Sequence, residues 1–168
     1  ELSIHLLQAT DVPVLVAGFE AVGWSKPRDQ FERYLAEQSE GARTVLVARL
    51  GEHLCGYGTI RWRSGYPPFR EEGIPEIMDL NVLPGFQRQG IASRLLVEAE
   101  RRVAERSGVV GIGVGLFTDY GPAQRLYVKR GYVPDGRGIV WRNQVVHGGQ
   151  SVVADDSLVL HLTKQLHA

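Results

Sequence analysis

The segment NVLPGFQRQGIASRLLVEAERRV, residues 81–103, sets a polar loop of small residues between an extended run and an amphipathic helical pattern. Gln87, Arg88, Gln89, Gly90, Ile91 and Ala92 supply no nucleophile, no metal-ligand pair and no paired acids. Their chemistry belongs to the main chain. The first four N–H groups of a helix lack intrahelical partners and together carry about half a positive charge. Gly90 and Ala92 keep side-chain bulk small, Arg88 adds a cation and Ser93 a hydroxyl, so the loop reads as a diphosphate cradle. A plain strand-to-helix turn is the competing reading. The lysine-hydroxyl ending of a nucleoside-triphosphate loop is absent. Gly111, Gly113 and Gly115 are spaced G-x-G-x-G inside a strand, not G-x-G-x-x-G opening a helix, so the dinucleotide fingerprint fails too.

The elements that must position this loop are legible from periodicity. Ile91, Leu95, Ala99 and Val103, joined by Ala92 and Leu96, form the apolar stripe of a helix expected over 89–107, with Glu98 four residues before Arg102. EIMDLNV (76–82) is the strand before the loop, and VVGIGVGLF (109–117) the strand after the helix. Upstream lie a strand at 2–7, a helix capped by Thr10-Asp11, a helix over 26–38 closed by Gly41, and a hairpin of 44–50 and 53–62 turning at Gly51-Glu52. Residues 64–75 read as a Gly/Pro-rich loop. Downstream come a helix at 121–130 with Pro122 at its first position, a hairpin around His147-Gly148-Gly149, and a strand at 158–164. The order describes a mixed α/β domain with antiparallel hairpins at both ends and a crossover unit between them.

With 168 residues, the chain is expected to form one domain, 1–168, with a substantial core. Hydrophobic residues at 43%, charged residues at 23% and zero formal charge advertise neither a nucleic-acid nor an acidic-membrane partner. No apolar run approaches the ~20 residues of a bilayer span, and no signal-peptide pattern opens the chain. The chain begins with Glu1, so an initiator Met or short leader is read as removed. A lone Cys55 excludes an internal disulfide and fits a reducing, cytoplasmic setting. His5, His53, His147, His161 and His167 show no ligand spacing, so no metal is expected.

Gln87, Gly90 and Ala92, after a strand ending NVLP, resemble motif A of the GNAT N-acetyltransferase superfamily, written as Arg or Gln, two residues, Gly, one residue, then Gly or Ala. AQRLYVKRGYVP, 123–134, resembles its motif B at the proper distance. The resemblance covers roughly residues 2 to 133. It implies a mixed sheet flanked by helices on both faces and splayed between its fourth and fifth strands, 76–82 and 109–117, with acetyl-CoA in the gap. The main chain of Leu80, Asn81 and Val82 would then meet the pantetheine arm, and the amides of Gln87, Arg88, Gln89, Gly90, Ile91, Ala92 and Ser93 the diphosphate. The sequence departs from the family pattern at Tyr120, where many relatives carry Asn; its ring or hydroxyl would have to serve pantetheine instead.

The implied activity is acetyl transfer to a primary amine by direct attack in a ternary complex. An alkylammonium with pKa ~10.4 is rarely neutral at pH 7, so supplying free amine is worth up to roughly 4–5 kcal/mol. Glu76, eleven residues before Gln87, matches the family's glutamate base. Asp79, turned by a family bulge, or water are the alternatives. Plain alternation would put Glu76, Met78, Leu80 and Val82 on one face and Ile77, Asp79 and Asn81 on the other. The resemblance assigns the oxyanion to the Leu80 N–H and the leaving thiolate's proton to Tyr127. The acceptor, a small amine or a peptide, is not specified. Trp24, Trp62, Trp141 and the segment Tyr66–Glu72 are candidates to line its site. The hairpin at Gly148-Gly149 would cover that site or contact a second copy in a homodimer. A non-catalytic acyl-CoA-binding module and a nucleotide-binding regulatory domain are the rival classes.

Overall fold

The structure, a computed structural model, describes residues 1–167. Its elements run β1 (Leu2–Leu6), α1 (Asp11–Ala21), α2 (Arg28–Ser39), β2 (Arg43–Leu50), β3 (His53–Arg61), α3 (Pro67–Glu72), β4 (Glu76–Val82), α4 (Ile91–Ala104), β5 (Val109–Gly115), α5 (Gly121–Lys129), β6 (Val133–Trp141), β7 (Gln144–Val145) and β8 (Leu158–Gln165). They belong to two compact units, residues 1–62 with 77–102 and, among the described residues, 63–76 with 103–167.

In the first unit β1, β2, β3 and β4 are neighbours in that order. β1 pairs antiparallel with β2, and β2 with β3 through the expected Gly51-Glu52 turn, with a bulge between Ala48 and Arg49. Leu15, Phe19, Phe31, Val45, Val47 and Tyr57 form its core, with Phe31 and Phe19 meeting the Tyr57 ring edge-on at 5.2 and 5.6 Å. Edge-to-face rings suit the aromatic quadrupole and fix the angle at which α1 and α2 cover β3. Cys55 of β3 is fully buried, and its thiol donates to the Ala48 carbonyl at 3.3 Å. Burial raises the thiol's pKa, so it behaves as a small apolar residue.

Thr10 makes no side-chain cap on α1. The neighbouring Asp11 turns its carboxylate back instead and accepts the Gln8 N–H at 2.9 Å and His5 Nε2 at 3.0 Å.

In the second unit the order is β5, β8, β6, β7. β8 runs antiparallel to β5 from Val109 opposite Gln165 to Gly115 opposite Val159, and antiparallel to β6 on its other side. The 64–75 stretch is not all loop. Pro67 and Pro68 start α3, Gly73 ends it in the left-handed conformation, and Phe69 anchors it fully buried beside Tyr66 and Ile74. The two prolines that suggested a loop fit a first helical turn, where no N–H is needed.

The second hairpin also differs from expectation. β6 and β7 turn at Arg142-Asn143, both left-handed (φ 51° and 63°), and the residues around Gly148-Gly149 are in no strand. Two consecutive left-handed residues make the tight turn that matches strand twist, and Asn tolerates that conformation. Among the described residues no helix is long and apolar enough to cross a membrane, and no group of three His, Cys, Asp or Glu is placed to hold a metal ion.

Candidate active site

β4 delivers the chain to the loop, and its residues do not alternate as a regular strand would. Asp79 has φ 54°, so the strand kinks at its midpoint and the simple two-face pattern breaks. Glu76 and Ile77, adjacent in sequence, are both buried.

The Asp79 carboxylate is enclosed by donors. Oδ1 accepts Lys26 Nζ at 3.0 Å and Asn81 Nδ2 at 2.7 Å; Oδ2 accepts Tyr57 Oη at 2.7 Å, Tyr34 Oη at 2.9 Å and Gln30 Nε2 at 3.3 Å. Burial alone would raise its pKa, but the Lys26 charge and the tyrosine hydrogen bonds outweigh it and the net shift is downward. Asp79 is therefore held as a carboxylate. Burial and the same anion push the Tyr57 and Tyr34 hydroxyls well above the usual tyrosine range, so both remain proton donors.

Lys26 also lines a cavity of about 430 Å³ with Val16, Glu20, Trp24, Ser25 and Pro27, in the connection between α1 and α2. The Trp24 ring stacks on Phe19 at 5.7 Å. Trp62 and Trp141 are spent elsewhere, donating their indole N–H to Thr44 and Asp155.

After β4, Leu83 N–H bonds the Cys55 carbonyl, a single 3-10 turn spans Pro84–Phe86, and Gln87 folds its side-chain amide back onto the Val82 carbonyl at 3.1 Å. Gln87 thus braces the loop, a role that its polarity alone did not specify. Arg88 and Gly90 are left-handed (φ 63° and 78°). A Cβ on Gly90 would touch nothing within 4 Å, so glycine is required there by backbone conformation and not by crowding. α4 then starts at Ile91, and Arg94 N–H donates to the Gly90 carbonyl at 3.0 Å. The amides of Ile91, Ala92 and Ser93 precede that bond, at the electropositive end of a fourteen-residue helix. Ile91, Leu95, Leu96, Ala99 and Val103 are buried, so the apolar stripe holds the helix in place.

The remaining candidates belong to the second unit, each with its own neighbours. Glu76 is 5% exposed; its Oε1 accepts the Ser64 hydroxyl, whose oxygen accepts the Tyr66 N–H at 3.0 Å. Its Oε2 lies 3.9 Å from Nε2 of the buried His161. Sequence reasoning missed Ser64 and His161 because neither shows a spacing relation to Glu76. Tyr120 packs edge-on against Phe117 and donates its hydroxyl to Asp156 at 2.6 Å. Tyr127 is buried on α5, near the Tyr132 ring, and burial pushes its hydroxyl up to about 12.

The chain is similar in fold to solved acetyltransferases. It matches a GNAT-family acetyltransferase from Desulfovibrio desulfuricans at TM-score 0.74 and 13% identity, covering 99% of this chain and 100% of that one. It matches the PaiA N-acetyltransferase of Thermoplasma acidophilum, crystallised with coenzyme A, at TM-score 0.66 and 13% identity, covering 98% and 99%. A mycothiol acetyltransferase of Brachybacterium faecium is 30% identical over 115 residues, which are 68% of this chain but only 34% of that protein. The chain thus spans about a third of that relative's length.

Residues 13–132 match the Acetyltransferase (GNAT) family, and the chain belongs to it.

Proposed function

We propose that this chain is an N-acetyltransferase, one domain over 1–168, that moves the acetyl group of acetyl-CoA to a primary amine by direct attack in a ternary complex. The observation that carries the reading is the family match across 13–132, which contains both the left-handed Gly90 at the start of α4 and Tyr127. The amides at the start of α4 suit a diphosphate in charge. The coenzyme A held by the Thermoplasma acidophilum relative supports the same cosubstrate class. Acetyl-CoA supplies the activated acetyl thioester; the rest is done by the chain.

The roles follow from the chemistry. Asp79 is a poor base, because five donors occupy its oxygens and stabilise its charged form. Glu76, or water, takes the amine's proton. The Leu80 N–H is a fixed donor for the developing oxyanion and needs no side chain. Tyr127 keeps its proton throughout the physiological range and offers it to the leaving sulfur.

The 430 Å³ cavity, with Trp24 and Glu20 in its wall, suits an acceptor combining a cationic amine with an apolar or planar group. The reading is tested by a panel of primary amines with acetyl-CoA, following release of free coenzyme A thiol. Amine-dependent release supports it. A chain that binds coenzyme A but transfers to none of the amines is the non-catalytic module instead.

A further inference from the structure

Resting on the acetyltransferase reading above, we propose that Asp79 is a positioning residue: its five-donor carboxylate fixes the left-handed kink of β4 and with it the peptide that carries the Leu80 N–H. Within β4 it is the one residue with positive φ, and the kink lies immediately before Leu80. A short polar side chain tolerates that conformation better than most, but tolerance does not choose it. The ligands do.

They come from separate places in the first unit: Lys26 from the α1–α2 connection, Gln30 and Tyr34 from α2, Tyr57 from β3 and Asn81 from β4 itself. Two carboxylate oxygens offer about four lone-pair sites, so these donors saturate the group and leave it no freedom to turn.

The residue before the kink is tied as well. The Met78 carbonyl accepts the Thr59 hydroxyl at 3.0 Å; Thr59 Oγ1 in turn accepts Arg43 at 2.8 Å, and Arg43 is paired with Glu37 at 2.6 Å. β3 gives the kink room by carrying no side chain opposite it. A Cβ on Gly58 would come within 3.0 Å of the Leu80 Cδ1, and one on Gly56 within 2.5 Å of the Asn81 carbonyl oxygen. The strand is pinned at 78 and 79, cleared at 80 and 81, and the Leu80 amide takes the direction these constraints leave.

A donor displaced by about an ångström forfeits much of its effect on a developing charge. The arrangement also links the acceptor's cavity to that donor, since Lys26 belongs to both.

Three variants test the role. Asp79→Gly accepts positive φ but has no carboxylate, Asp79→Asn retains shape and one acceptor oxygen, and Tyr57→Phe removes one donor while keeping the ring. For folded Asp79→Gly, kcat should fall roughly tenfold to a hundredfold with KM for acetyl-CoA within about threefold, and the Leu80 amide resonance should shift. Asp79→Asn should lie between it and the wild type.

An unmoved Leu80 amide in folded Asp79→Gly overturns the inference whatever the activity. If Asp79→Gly does not fold, Tyr57→Phe decides: reduced kcat and a moved Leu80 amide support the role, and wild-type values of both overturn it. A wild-type chain without amine-dependent thiol release, together with a moved Leu80 amide, overturns the acetyltransferase reading while the anchoring of the kink stands.

Discussion

Tyr66 and His161 lie face to face in the interior of the second unit, their ring centroids 3.6 Å apart and their planes within 1°. Phe69 meets the imidazole edge-on at 5.3 Å, and His161 Nδ1 has no hydrogen-bond partner among the described residues. Burial depresses the imidazole to about 4 against the opposing pull of the Asp135 charge, so it is neutral at pH 7. The unfolded chain then binds more protons than the folded one between the unfolded value of 6.5 and about 4. Stability should therefore rise with pH across that window and fall as pH drops through it, by on the order of 3 kcal/mol at most. Melting curves at pH 4.5 and 7 check this, and His161→Phe should flatten the difference.

If the proposed cradle holds coenzyme A, Gly90→Glu should abolish binding, because an anion and a Cβ in a left-handed position would then stand in the proposed diphosphate seat. Gly90→Ala separates the two causes. It adds no charge and meets no neighbour, so its loss should be smaller and should come from backbone strain of about 1 kcal/mol or more. Calorimetric titration with coenzyme A reads both; wild-type affinity in Gly90→Glu would remove the cradle.

Glu76→Gln should lower the rate most where the acceptor is protonated, near pH 7, and least near the amine's own pKa of ~10.4, where free amine is abundant. The wild-type to variant ratio across pH is the measurement. A flat ratio assigns the deprotonation to water. Ser64→Ala, which removes the hydroxyl from Glu76 Oε1, should alter the ratio in the same direction but by less.

For Tyr127→Phe we expect kcat to fall by roughly a hundredfold with little change in KM for acetyl-CoA, the signature of a proton donated in the transition state. Burial pushes the hydroxyl up to about 12, so its contribution should persist undiminished through pH 10. Unchanged turnover in the variant would leave Tyr127 as a core residue.

The sequence was most informative where one local signal sufficed. The 76–82 strand, the stripe from Ile91 to Val103 and the Pro122–Gly131 limits of α5 each follow from periodicity or backbone chemistry, and the structure agrees within a few residues. α3 was missed because Pro67-Pro68 signals both a loop and a helix start, and only the burial of Phe69 decides between them. The Gly148-Gly149 hairpin was misplaced for a related reason: Arg142-Asn143 adopts a turn that glycine usually makes. The ligands of Asp79 were invisible because Lys26, Gln30, Tyr34 and Tyr57 lie 22 to 53 residues away and meet it only after α2 and β3 have packed. Alternation, which assumes a regular strand, fails at the kink those ligands hold.

The inertness of Cys55 turns into an experimental convenience. Fully buried within β3, it leaves the native surface without a site for maleimide chemistry, so a fluorophore can be directed wherever a cysteine is introduced. Ser25→Cys, in the cavity wall beside Lys26, would place such a dye in the cavity proposed above for the acceptor. Occupancy could then be followed optically, before the identity of the acceptor is known.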